Sequence, residues 1–395
     1  MFITSLFWIL LALVVYSYLG YTVLLIIISG VIRTSNRLFR PKPKGSDTFQ
    51  PEVTILVAAH NEEAHVEAKI MNTLGQDYPG DKVWQVWVDD GSTDRTREIL
   101  ATFDRITLLR QPERRGKVSA INLGMTAVRT PITIFSDANA MLAENAISKL
   151  IEPFRNPKVG CVAGEKRVLF EDADSASASG EGTYWQYESH IKRLESECGS
   201  TLSATGELYA IRTELFENLD KDIILDDFAI STHVIRQGYT VKYMAEACSV
   251  EKASASIDEE MKRKVRIAAG SFQILFRYPW LLFPVNRPML VFQFLSHKLL
   301  RWCVLPVSLF LLPVLNVVIL ASYSQLWVYW LLLCCQLLLG AIAVLGWRLK
   351  NRPFPATYIF LPYYLVMMNV SIIKGFVRYL TGQQKVTWEK AVRRT

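Results

Sequence analysis

Four polar clusters in this chain carry residue types that can handle a charged substrate: His60-Asn61-Glu62, Asp89-Asp90, Asp137-x-Asn139 and Asp226-Asp227. Two carboxylates two positions apart at a strand end share a side of the chain and would hold a divalent metal. In FSDANA, Phe135 to Ala140, the second position is an amide. Asn139 still offers the hard, neutral oxygen that Mg²⁺ or Mn²⁺ accepts, but one negative charge is lost, so metal affinity falls unless the substrate supplies ligands. Arg114, Arg115, Gly116 and Lys117 immediately precede an amphipathic helix, and a helix start favours anions. The ordinary alternative for Lys117 is a surface charge. There is no G-x-x-x-x-G-K-[ST] and no G-x-G-x-x-G after the first strand. A nucleotide would therefore be held by carboxylates, a metal and basic side chains rather than by a glycine loop.

These residues need a frame to position them. Between about Phe49 and Val250, Val53–Ala58 is a continuous apolar run, as in a parallel strand covered on both faces. Glu62 to Leu74 reads as a helix with Ala64, Ala68, Ile70, Met71 and Leu74 as its apolar positions. Val83–Val88 is a second strand, and Ser92 or Thr93 is placed to cap the helix Arg95–Thr102. Ile106–Leu109 is a third strand, Lys117–Val128 a helix and Pro131–Ser136 a fourth strand. Strict alternation predicts a doubly wound, mostly parallel α/β sheet, with ligands beyond the carboxyl ends of its strands. Three of the four clusters fall at that edge. One aspartate there is ordinarily a turn former or helix cap; three clusters at one edge point to a site.

The rest of the 395-residue chain reads as membrane-associated. Hydrophobic residues make up 51% of it, and residues 1–32 carry no charge. At about 1.5 Å per residue a helix of that length exceeds the ~30 Å hydrocarbon core. A signal peptide would have a basic start and a shorter apolar region. Here the basic cluster (Arg33, Arg37, Arg40, Lys42, Lys44) follows the apolar run, which favours an uncleaved anchor with residues 33 onward in the cytoplasm. Trp302 to Trp347 is 46 residues without a charge, enough for two spans turning near Ala321–Gln325, and 21 uncharged residues follow from Pro353 to Ile373. Three C-terminal spans are favoured. They would leave the basic tail (Lys385, Lys390, Arg393, Arg394) outside, so either the charge rule fails for the tail or the last segment is re-entrant or interfacial. The net charge of +7 needs no nucleic acid, since anionic lipid headgroups account for it. The six cysteines show no metal or redox spacing and read as free thiols.

In this order and spacing, VAAHNEE, VDDGSTD, RRGKVSAINLG, FSDANA, SATGELYAIR and ILDD resemble the family 2 glycosyltransferases, in particular the membrane-embedded branch of cellulose, hyaluronan and poly-N-acetylglucosamine synthases. The resemblance implies a GT-A fold, a Rossmann-like cytosolic domain between transmembrane helices. It also implies inverting transfer of sugar from a UDP-sugar, UDP-N-acetylglucosamine or UDP-glucose, to a growing polysaccharide or lipid-linked acceptor. Asp89 and Asp90 match the family's nucleoside-contacting pair, and His60, Asn61 and Glu62 the segment lining that pocket. Lys117 and Asn122 match its diphosphate segment, Asp137 the first position of its D-x-D metal motif, and Asn139 departs from the second. Asp226 and Asp227 match the acidic pair holding the general base, assigned to Asp227; they could also only cap the helix Phe228–Gln237. Gly206 and Glu207 fall in the acceptor-side segment.

The synthases' Q-x-x-R-W becomes Arg263, Arg266 and Ile267 here. Arg266 can still neutralise the departing diphosphate, but the aromatic platform is gone, which puts processivity in doubt. A transferase that modifies a polyprenyl or lipid acceptor once is the alternative; an inactive scaffold or glycan-binding homologue is another. The same segment also reads as an interfacial helix, with Lys262, Arg263, Lys264 and Arg266 on lipid headgroups and Ile267, Phe272, Ile274, Leu275 and Phe276 inward. The expected layout is an anchor at 1–32, a basic linker 33–48 and a GT-A domain 49–255. Amphipathic interfacial helices at 256–297, transmembrane helices at 298–380 and a basic tail 381–395 follow. That describes a multi-pass inner-membrane protein. Its few spans leave room for a partner subunit or homo-oligomer to complete a product path.

Overall fold

The computed structural model describes residues 1–39, 49–169, 176–252, 256–282, 287–323, 325–350 and 357–384. The basic linker from residue 40 and the basic tail from residue 385 lie outside them. Helices α1 (Phe2–Val15) and α2 (Tyr21–Phe39) are joined through a π-helical turn, Tyr16–Gly20. The chain then alternates as β1 (Val53–Ala59), α3 (Val66–Leu74), β2 (Val83–Asp90), α4 (Thr96–Ala101), β3 (Thr107–Gln111), α5 (Lys117–Met125) and β4 (Ile132–Ser136). Next come β5 (Met141–Leu142), α6 (Ala146–Ile151), β6 (Val159–Leu169), α7 (Ala176–Glu197), β7 (Leu208–Arg212), α8 (Asp226–Arg236) and β8 (Thr240–Lys252). The C-terminal part is helical: α9 (Ile257–Arg277), α10 (Pro288–Gln293), a π-helical segment Phe294–Val304, α11 (Leu305–Ser322), α12 (Trp327–Leu349) and α13 (Thr357–Leu380).

The strands form one mixed sheet in the order β3-β2-β1-β4-β7-β6-β8-β5. The first four are parallel, as the alternation predicts; β7 then enters antiparallel, with Ser136 opposite Leu208. That reversal brings the segment before β7 to the edge where β1, β2 and β4 end, so Gly206 and Glu207 join the polar clusters there. The sheet is covered on both faces because its strands alternate two apolar sets. Leu56, Val88, Phe135 and Tyr209 belong to one core, and Ile55, Trp87, Ile134 and Ala210 to the other.

Three local expectations differ from the structure. In α3 the buried residues are Val66, Lys69, Ile70 and Thr73, whereas Ala64, Ala68, Met71 and Leu74 are exposed. The true stripe has helical spacing but contains a lysine and a threonine, which hides it. At α4 neither Ser92 nor Thr93 caps; Asp94 Oδ1 accepts from Thr96 N at 2.9 Å. In α9 the basic residues do not all meet headgroups. Lys264 is buried beside Glu260 and against the Tyr184 and Trp185 rings, and Arg263 pairs with Glu260 and Glu207. Two carboxylates, Glu207 and Glu260, draw these cations toward the protein.

Among the described residues four helices are long and apolar enough to cross a membrane: Phe2–Ser35, Pro288–Ser322, Trp327–Leu349 and Ile359–Leu380. The second starts within the segment expected to be interfacial. Helix α9 is capped by Ser256, whose hydroxyl accepts from Glu259 N at 3.2 Å. It packs directly on α13 at Gly375, where an added Cβ would lie 2.8 Å from Val265 O and 2.9 Å from Ala269 N.

Candidate active site

At the β1 and β2 ends, the polar residues mostly hold one another. His60 Nδ1 lies 2.8 Å from Asp90 O, and Asn61, at φ 55°, donates its N–H to Ser92 Oγ while its Oδ1 accepts from Thr93 N. Glu62 N donates to Thr96 Oγ1 at 2.7 Å. Asp89 Oδ1 accepts from Ser92 N at 3.0 Å. The fully buried Asp90 accepts from two successive amides, Arg115 N at 2.7 Å and Gly116 N at 2.9 Å. Asp90 thus anchors the basic loop before α5. Gly91 makes room for it: at φ 63° its Cβ would meet Arg114 N at 2.6 Å.

The anchored loop delivers Lys117 as the first residue of α5. Its Nζ is 2.8 Å from Asp137 Oδ1 and 3.4 Å from Asp226 Oδ2, so one cation ties the β4 end to the start of α8. Burial alone would lower the Lys117 pKa, but Asp137 and Asp226 outweigh it and hold the ammonium above its ordinary value. Burial raises the Asp137 carboxyl above its usual range although Lys117 pulls it down. Beneath the loop, Lys69 donates to Ser136 Oγ at 2.8 Å and to Ala140 O, fixing both ends of the segment that carries Asp137 and Asn139. Burial pushes the Lys69 ammonium down to about 7. Asn139 Nδ2 donates to Glu251 Oε1 at 3.0 Å, which orients its amide.

On the other side, Asp226 and Asp227 occupy the first turn of α8, while the cap position is Leu225 and makes no side-chain cap bond. Neither therefore sits at the cap position itself, although two carboxylates suit the helix N-terminus. Burial, then the neighbouring Asp226 carboxylate, pushes Asp227 up to about 7; Lys117 and the Phe228 amide pull the other way. Gly206 leaves space here: a Cβ would stand 3.5 Å from Asp227 Oδ2. Glu207 is held by Lys166 at 2.6 Å, and Lys166 reaches Glu251 at the same distance, so Asn139, Glu251, Lys166 and Glu207 form one chain. Burial would raise the Glu207 carboxyl, but Lys166 and Arg263 override it and hold it well below the usual range. Arg266 donates to Ile224 O at 3.3 Å, and its buried Nε has no hydrogen-bond partner among the described residues.

A cavity of about 1600 Å³ brings together Glu62, Lys117, Asp137, Asn139, Gly206, Glu207, Asp226, Asp227 and Arg266. His60, Asn61, Asp89, Asp90 and Asn122 do not line it. Asn122 instead clamps residue 219 in both directions, Nδ2 to Leu219 O at 2.8 Å and Leu219 N to Oδ1 at 3.0 Å. Sequence reasoning misses Lys69, Lys166, Glu251 and the Tyr184–Trp185 wall. Their signal is only that charged or aromatic residues sit where apolar periodicity wants a core, which is visible for Lys69 and not for the others.

The donor set at the β4 end fits a divalent cation that is shared with a ligand. Asp137 Oδ1 already accepts from Lys117, while the Asn139 amide donates to Glu251 through its nitrogen. Among the described residues no group of three or more His, Cys, Asp or Glu could hold a metal by itself.

Residues 54–220 match the family model for Glycosyl transferase family 2. The chain is 27% identical over 238 residues to the poly-beta-1,6-N-acetyl-D-glucosamine synthase of Staphylococcus epidermidis, covering 58% of this chain and 56% of that protein. It is 26% identical over 235 residues to the synthase of the same description in Staphylococcus aureus strain COL. The alignment thus spans just over half the length of these relatives. The solved structure of the mannosyltransferase PcManGT from Pyrobaculum calidifontis, in complex with GDP-Man and Mn²⁺, superposes with a TM-score of 0.67 at 23% identity, covering 96% of this chain and 99% of that one. Residues 54–220 of this chain are a glycosyl transferase family 2 domain, carried on a GT-A fold.

Proposed function

We propose that the chain transfers a sugar from a UDP-sugar, of the UDP-N-acetylglucosamine or UDP-glucose type, to a hydroxyl of a glycan or lipid-linked acceptor, inverting the anomeric centre by single displacement. The observation that carries this reading is Asp227, a carboxylate poised near 7 beside the Lys117–Asp137 pair on one cavity wall. A general base works best with a pKa near the operating pH. Asp227 takes the acceptor hydroxyl proton, the acceptor oxygen bonds to the anomeric carbon, and the bond to the diphosphate breaks, leaving a nucleoside diphosphate. Lys117 and Arg266 stabilise the charge that develops on that leaving group. Asp226 holds Lys117 in place, and Gly206 and Glu207 form the acceptor wall.

His60, Asn61, Glu62, Asp89 and Asp90 shape the nucleoside end, Asp90 chiefly through the loop it anchors, while Asn122 braces α5. Asp137 and Asn139 would hold Mg²⁺ or Mn²⁺, which supplies charge neutralisation to the diphosphate when bound. The four apolar helices support a multi-pass inner-membrane protein with the catalytic domain on the cytoplasmic side, as the basic residues from Arg33 suggest.

Single transfer to a lipid acceptor is favoured over polymerisation by one observation. Ile267 stands where the synthases carry their aromatic platform, so an extending glycan has less to rest on there. Nucleotide release by the purified full chain, measured across UDP-sugars and GDP-mannose with and without Mn²⁺, tests the reading. Release that Asp227→Asn abolishes supports it; no release from any donor would leave a scaffold. Product length separates one transfer from many, and the mass of the detergent-solubilised particle reports a partner subunit or second copy.

A further inference from the structure

Two lysines on the cavity wall have no direct hydrogen-bond or ion-pair partner among the described residues. Lys192, on α7, is only 7% exposed, and Lys298, in the π-helical segment, is half-buried. Among the described residues neither makes a hydrogen bond or an ion pair. The carboxylates nearby are already engaged. Glu188 takes Arg301 and lies 3.1 Å from His297 Nε2; Glu195 accepts from the Tyr21 hydroxyl at 2.6 Å and lies 2.7 Å from His297 Nδ1. Lys192 and Lys298 repel one another, and Lys192 also feels Glu188, then Asp227 and Glu207, which places it between the membrane-side cluster and the proposed base.

Lys192, Lys298 and Arg301 thus face two carboxylates, Glu188 and Glu195, and a buried cation in excess of its counter-charges is disfavoured, so this surplus at an open cavity is arranged for an anion. The same wall carries Leu361, Leu365 and Met368 of the apolar helix α13. An anionic head beside an apolar track describes an amphiphile.

We propose that Lys192 and Lys298 hold the phosphate group of a lipid-borne acceptor, whose hydrocarbon tail runs along Leu361, Leu365 and Met368. Calling the lipid an acceptor rests on the glycosyl-transfer reading; its binding does not. The chemistry recognised is a phosphate ester, which could also come from bulk phospholipid or as free phosphate, and the test separates these sources.

The full chain is placed in phosphatidylcholine nanodiscs, and retention of a radiolabelled long-chain prenyl phosphate is measured against the matching prenyl alcohol. The phosphate is expected to bind saturably and at least tenfold more tightly. Lys192→Gln and Lys298→Gln are each expected to weaken it at least tenfold, with nucleotide affinity unchanged. Equal binding of the alcohol, or no loss in either variant, overturns the proposal. Displacement by phosphatidylglycerol or inorganic phosphate at the potency of unlabelled prenyl phosphate overturns the assignment to an acceptor. Should Lys192→Gln fail to fold, the half-buried Lys298→Gln decides the matter alone. Binding without any nucleotide release would sink the transferase reading and leave the phosphate site standing, whereas release without binding would do the reverse.

Discussion

The Lys117 ammonium and the Asp137 carboxylate meet at 2.8 Å, and this pair joins the end of β4 to the start of the helix that follows the basic loop. It also leans on Asp226 at 3.4 Å. Lys117→Met would remove the cation proposed to face the diphosphate and leave Asp137 and the buried Asp226 without it. Nucleotide release should fall about 10²- to 10³-fold, the range for losing one preorganised stabilising donor. Steady-state release with saturating donor checks this, and Lys117→Arg should recover part of the loss.

Asp227 fixes the expected pH dependence. With the carboxyl pushed up to about 7, only the ionised form can take a proton, so kcat should rise with pH through about 7 and then level off. Asp227→Asn should lower kcat at least about 10²-fold and remove this limb. Stability should move the opposite way. Because the folded-state pKa exceeds the unfolded value of about 3.9, the folded chain binds more protons between them. That contribution is present below about 4 and lost as pH rises through about 7. Thermal unfolding of Asp227→Asn should therefore show a flatter decline across that window.

Asn139 gives a direct reading of metal use. Asn139→Asp adds a carboxylate next to Asp137 and should lower the Mn²⁺ concentration needed for half-maximal release by about tenfold or more, since charged oxygen ligands tighten hard cations. Asn139→Ala leaving both metal response and turnover unchanged would show that the amide is not a ligand. The Asp variant also faces Glu251 in place of a donor, so its thermal midpoint should be measured alongside.

Lys166 is the buried hub of the wall proposed to face the acceptor, with Glu207 and Glu251 each at 2.6 Å. Lys166→Met would strand two buried carboxylates, at a cost on the order of 3–5 kcal/mol. Chemical denaturation should show that loss. Replacing Glu251 by Gln in the same background should restore part of it, because one stranded charge is then removed.

Much of this architecture can be read from the chain. The apolar runs of β1, β2 and β4 have period and length enough to identify a parallel sheet, and their polar ends mark the binding edge. What is hidden is anything whose identity depends on a distant partner. Lys69 breaks the apolar stripe of α3, and only Ser136 and Ala140, far along the chain, satisfy its ammonium. Asp89 and Asp90 look like ligand contacts because of their type, yet Asp90 spends both oxygens on backbone amides 25 and 26 residues away. The basic run in α9 reads as a headgroup contact, because the carboxylates that turn Arg263 and Lys264 inward lie partly on other elements. Charge type is local information, but charge balance is not.

Gly375 brings α13 against the backbone of α9 at Val265 and Ala269, with only the Ala268 methyl group between them, in the turn that holds Arg266. Helices in such contact cannot slide past each other as two layers of side chains can. The arginine proposed for the leaving group therefore rides against an apolar helix as one piece of hardware, and any tilt of that helix is delivered undamped to the guanidinium.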